Sequence, residues 1–71
     1  MILQLNPILD GLQAARIAAG DAVHANDEVT VEDRDSLWVF EFLPKEEVLG
    51  GGARVTVNKA DFRIHEVVRY Q

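Results

Sequence analysis

Cysteine is absent from these 71 residues, which excludes disulfide staples and any thiolate metal cage and is compatible with a reducing compartment. A domain of this size buries only about 60% of the surface its unfolded chain exposes, so its stability margin is a few kcal/mol. With no covalent staple, oligomerisation is one way to widen that margin. Positive charge is also scarce: seven Lys and Arg stand against twelve acids, for a net charge of −5. That balance argues against a nucleic-acid partner, because a phosphate backbone needs cations to displace its counterions. Apolar runs are short, none near the roughly 18 residues that cross a bilayer. Residues 1–5, MILQL, lack the positive segment of a secretory signal. The expectation is a soluble, cytoplasmic, single-domain chain spanning residues 1–71, with no membrane partner. No catalytic, metal or phosphate motif is evident, and no cofactor is expected.

What charge there is divides unevenly. Residues 1–50 hold ten acids and three bases, residues 51–71 two acids and four bases, so the two parts differ in sign. A salted solvent face and a charged partner surface both fit that asymmetry.

Asn6-Pro7 has the form of a helix start: Asn caps free N–H groups, and Pro at the first helical position sacrifices no hydrogen bond. Ile8, Leu12, Ala15, Ala19, Ala22 and Val23 then recur at helical spacing, widened by Leu5 and Leu9. This stripe is expected to lie on a sheet, its alanines permitting close approach. Ile17 falls on the opposite side. Gly20 either ends the helix or is carried inside one that reaches about His24.

Glu28 to Glu32 alternates polar and apolar like a half-buried strand, and Asp33 to Ser36 forms a polar turn. Leu37 to Leu43 is apolar on both faces apart from Glu41, the pattern of a central strand. One helix cannot cover both. After Pro44 comes a loop or single helical turn, Lys45 to Leu49. Gly50-Gly51-Gly52 then permits positive φ or close backbone approach. No Lys-Ser/Thr and helix follow those glycines, so a wide turn or bulge fits better than a phosphate cradle. Ala53 to Val57 is the next strand, Asn58 to Asp61 a turn, and Phe62 to Tyr70 the last strand. The fold class is thus α+β: one N-terminal helix packed on a four-stranded antiparallel meander.

Period-two alternation sorts the strands into faces. Val29, Val31, Trp38, Phe40, Phe42, Val55, Val57, Phe62, Ile64 and Val68 are assigned to the helix side. The other face takes a candidate partner-binding set, Leu37, Val39, Glu41, Leu43, Arg54, Arg63, His65, Val67 and Arg69, expected to form an apolar middle with a charged rim. A protein partner or a second copy would use it; a merely solvated sheet is the alternative.

Catalytic groupings are weak. His65 and Glu66 are neighbours on a strand and point to opposite faces. His65 with Glu41 across strands reads as a dyad or, more simply, as a cross-strand pair. His24, Asp27 and Glu28 could loosely approach a metal but lack a convergent ligand set. Ser36, Thr30 and Thr56 have no activating base near them in sequence.

Trp38-Val39-Phe40, Leu43-Pro44, Leu49 to Ala53, Val55 to Lys59, Ile64 and Val67-Val68, following an Ala-rich helix, resemble the NTF2-fold immunity proteins of bacterial polymorphic toxin systems. The resemblance runs from about Leu9 to Tyr70, its specific part from Trp38 to Lys59. It implies a cytoplasmic, non-enzymatic inhibitor that binds a cognate toxin, with no catalytic residues to transfer. The helix and small antiparallel sheet also resemble PepSY-type modules, which would imply a peptidase-modulating role. A homodimeric structural protein is a third expectation.

Overall fold

The computed structural model describes residues 7–24, 27–45 and 51–70. One helix, α1 (Pro7–Ala19), packs on a single antiparallel sheet of β1 (Glu28–Arg34), β2 (Leu37–Leu43), β3 (Ala53–Asn58) and β4 (Ile64–Arg69), in spatial order β1-β2-β3-β4. The expected α+β meander is the observed fold. Leu5, the Asn6 cap, residues 46–49 and Gly50 lie outside the described residues.

Pro7 opens α1 and Asp10 sits in its first turn, where the helix dipole favours a carboxylate. Ala15 and Ala19 are fully buried against the sheet, and Ile8, Leu12, Ala18, Ala22 and Val23 pack around them. Ile17 is 74% exposed on the far side, as its spacing predicts. Leu9, expected in the stripe, is instead exposed, and Gly11 is buried. The reason is steric. A Cβ on Gly11 would stand 2.7 Å from the Trp38 ring, so the helix descends onto the indole only where there is no side chain. Gly20, with φ of 62°, ends α1 and starts a 3₁₀ turn, Gly20–Ala22.

Trp38, Phe40 and Phe42 of β2 and Ala53, Val55 and Val57 of β3 form the core beneath α1. Trp38 also stacks on Phe62, ring centroids 6.1 Å apart. Register places Val29 beside Phe42, Val31 beside Phe40 and Asp33 beside Trp38 on this side. The helix lies chiefly over β3 and β4, then β2. Among the described residues β1 is therefore left largely uncovered.

β1 is two residues longer than its alternation suggests, and the hairpin turn shrinks to Asp35-Ser36, with Asp35 at φ 45°. Asp tolerates this left-handed backbone better than most residues, so no glycine is needed. At the other connection Gly51 and Gly52 have φ of 95° and 90°, meeting the expectation for that loop. A Cβ on Gly52 would be 2.6 Å from the Phe42 carbonyl oxygen. Its N–H donates to the Ala22 carbonyl, and its own carbonyl accepts from the Tyr70 N–H.

The last strand departs from expectation. Phe62, at φ 60°, closes a turn by donating its N–H to the Asn58 carbonyl, and β4 begins only at Ile64. A bulge at Thr56/Val57 follows: Val57 faces Ile64 but Thr56 faces Glu66, leaving His65 unopposed. One inserted residue exchanges the faces of everything beyond it. Phe62 and Ile64 keep the helix side assigned to them, but Val67 consequently lies opposite Val55 on the helix side and Val68 opposite Arg54 on the other, the reverse of the alternation expected beyond His65.

Candidate functional site

The uncovered side of the sheet is built row by row from the register. Thr30, Glu41, Arg54 and Val68 make one row; Glu32, Val39, Thr56 and Glu66 make the next. Leu43 beside Glu28 and Leu37 beside Arg34 stand at either end of β2. Leu37, Val39 and Glu41 are half-buried, and Leu43 and Val68 are 39% and 38% exposed. No second helix covers this face among the described residues. The two middle rows apart from Val68, together with Val31 and Arg34 of β1, border an open concavity of about 440 Å³.

Five of the residues assigned here from sequence, Leu37, Val39, Glu41, Leu43 and Arg54, do share this face. Four do not join them. Val67 packs into the core, and Arg69 reaches the helix, its Nε and Nη2 donating to the Ala19 and Ala18 carbonyls at 3.2 and 3.1 Å. A cation there satisfies the free carbonyls at the end of α1. Arg63 belongs to the turn before β4, where its N–H and guanidinium engage Asp61. His65 is the bulged residue. The expected apolar middle is accordingly corrected: Glu41, Arg54, Thr56 and Glu66 lie centrally, and the apolar groups flank them.

Tyr70 is the residue sequence reasoning missed. The same register exchange that takes Val67 inward turns Tyr70 onto this face, and only a visible bulge signal could have revealed it. Its hydroxyl donates to Glu41 Oε2 at 2.6 Å and accepts from Arg54 Nε at 3.3 Å. Burial and then the Glu41 carboxylate hold the phenol above its ordinary pKa of 10.0, so it stays neutral. Arg54 is in turn held protonated by its hydrogen bond to Tyr70, with Glu41 and Glu66 adding to the effect. At the β1 end Arg34 Nε donates to Glu32 Oε1 at 2.8 Å, lowering that carboxyl's pKa.

This chemistry is that of a fixed polar surface. Glu41 takes its hydrogen bond from Tyr70 and not from His65, so the cross-strand dyad reading is replaced by a Glu41–Tyr70–Arg54 chain. Asp27 accepts the His24 backbone N–H at 2.9 Å, a local turn contact. Among the described residues no group of three or more His, Asp or Glu side chains is placed to hold a metal ion. No described helix is long and apolar enough to cross a membrane. Comparison of the chain with protein-family models, with curated proteins and with solved structures finds no match.

Proposed function

We propose that this chain is a non-enzymatic protein-binding module whose uncovered sheet face is its contact surface, acting in the cytoplasm. The supporting observation is the one-sided cover of β2: its even-numbered aromatics are buried under α1, whereas Leu37, Val39 and Leu43 remain partly open on the other side. Apolar groups interleaved with a pre-formed polar chain suit a protein surface, where water exclusion supplies affinity and fixed charges supply orientation. The Glu41–Tyr70–Arg54 chain needs no rearrangement before contact, which lowers the cost of binding. An inhibitor of a cognate toxin is the narrower reading, and it rests on the resemblance of Trp38 to Lys59.

The test is affinity capture from the native host with the wild-type chain, Val39→Glu, Leu43→Glu and Ile17→Glu, each checked for folding by circular dichroism. A partner retained by the wild type and by Ile17→Glu but reduced at least about tenfold by the two face variants is expected. Equal retention by all four proteins, or capture of nothing, would refute the face as a binding surface.

A further inference from the structure

The two edges of the sheet are unlike. β4 is interrupted by the bulge, and its Arg69 is committed to the helix carbonyls. β1 is regular: all seven residues pair with β2 without a shift, and among the described residues no strand adds to its outer side. All but Val29 are exposed, Val31 by 44% although it lies on the helix side. A regular open edge is a template for another strand unless its charges forbid it. Here the charges select.

Opposed residues of an antiparallel pair share a face, so a two-fold seam must centre on one residue and its copy. Centring on Thr30 sets Glu28 against Glu32 twice, and centring on Glu32 sets that carboxylate against itself. Centring on Val31 sets Glu28 against Arg34 at both ends, Thr30 against Glu32, and Val31 against Val31. Asp33 falls beside Val29, its charge already answered by Lys59 of its own chain, and Arg34, whose Nε is held by Glu32 of its own chain, has its terminal guanidinium nitrogens left to meet Glu28 of the partner subunit. Opposite charges facing across strands stabilise a pair and like charges oppose it. With α1 centred over β3 and β4, the helices of both copies stay clear of the seam.

We propose that β1 pairs antiparallel with β1 of a second copy in the register centred on Val31, with Glu28 opposite Arg34 of the partner subunit, giving one continuous eight-stranded sheet. The dimer leaves the uncovered face free and joins the two copies of it side by side. It does not depend on what that face binds.

A single strand pair is a small interface, so a concentration-dependent equilibrium is expected. Sedimentation velocity of the full chain from about 1 µM to 1 mM reads it directly. The wild type should form dimers. Arg34→Glu alone and Glu28→Arg alone should each weaken dimerisation about tenfold, and the combined charge swap should restore it. Val31→Lys, with folding confirmed by circular dichroism, should be monomeric. A wild type that stays monomeric, a dimer indifferent to Arg34→Glu and Val31→Lys, a swap that fails to rescue, or open-ended assembly of β1 onto β4 would each overturn the proposal.

Discussion

Tyr70 shows how much one side chain's position can depend on distant backbone. It is near the end of the chain, yet its phenol lies between Glu41 of β2 and Arg54 of β3. Because its folded-state pKa is raised above the ordinary 10.0, it contributes stability that is fully present below that value and lost as pH climbs through the higher folded value. Urea unfolding at about pH 8 and about pH 11 should therefore find the stability advantage of the wild type over Tyr70→Phe shrinking at the alkaline end. Parallel pH profiles for the two proteins would mean that Tyr70 is not held in this environment. Its placement was not legible in sequence: alternation counted from Phe62 holds for Phe62 and Ile64 on the helix side and reverses only beyond His65, since the bulge opposite Thr56/Val57 has no glycine to announce it.

The spacing between helix and sheet is set where α1 has no side chain. Gly11 touches the Trp38 indole, and a methyl there would meet two ring carbons at 2.7 Å. Gly11→Ala gains about 1 kcal/mol of helix propensity but overpacks the contact at a cost of about 1–3 kcal/mol. A net loss on the order of 1 kcal/mol is expected, read as a lower urea midpoint at unchanged m-value. Stabilisation by this substitution would show that helix and indole are not in contact. Strand β2 is the element most legible beforehand. Its boundaries and its buried aromatic face agree with the apolar pattern, because local alternation and tertiary burial point the same way. β1 extends past the end its alternation marks, since Asp33 and Arg34 carry turn-like composition and are held in strand by pairing with Trp38 and Leu37.

Among the described residues one thin core lies under one α-helix. Phe40 is among its largest fully buried side chains. Phe40→Ala should cost about 3–5 kcal/mol, comparable to the entire stability of a domain this small. Loss of the near-ultraviolet circular dichroism of Trp38 at 25 °C is the expected outcome; retained tertiary signal with an unshifted urea midpoint would place the core elsewhere. Composition and period by themselves determined the class of this protein: a staple-free α+β domain whose Ala-rich helix lies on an aromatic central strand, since hydrophobic spacing reports which side chains must leave water. Only tertiary structure decided which groups share the uncovered face. Face assignment is cumulative along a strand, and a single unopposed residue, His65, exchanges Val67 and Arg69 for Val68 and Tyr70. It also decided that, among the described residues, β1 keeps an open edge, because where a helix comes to rest depends on the sum of many contacts and not on the spacing of its own apolar stripe.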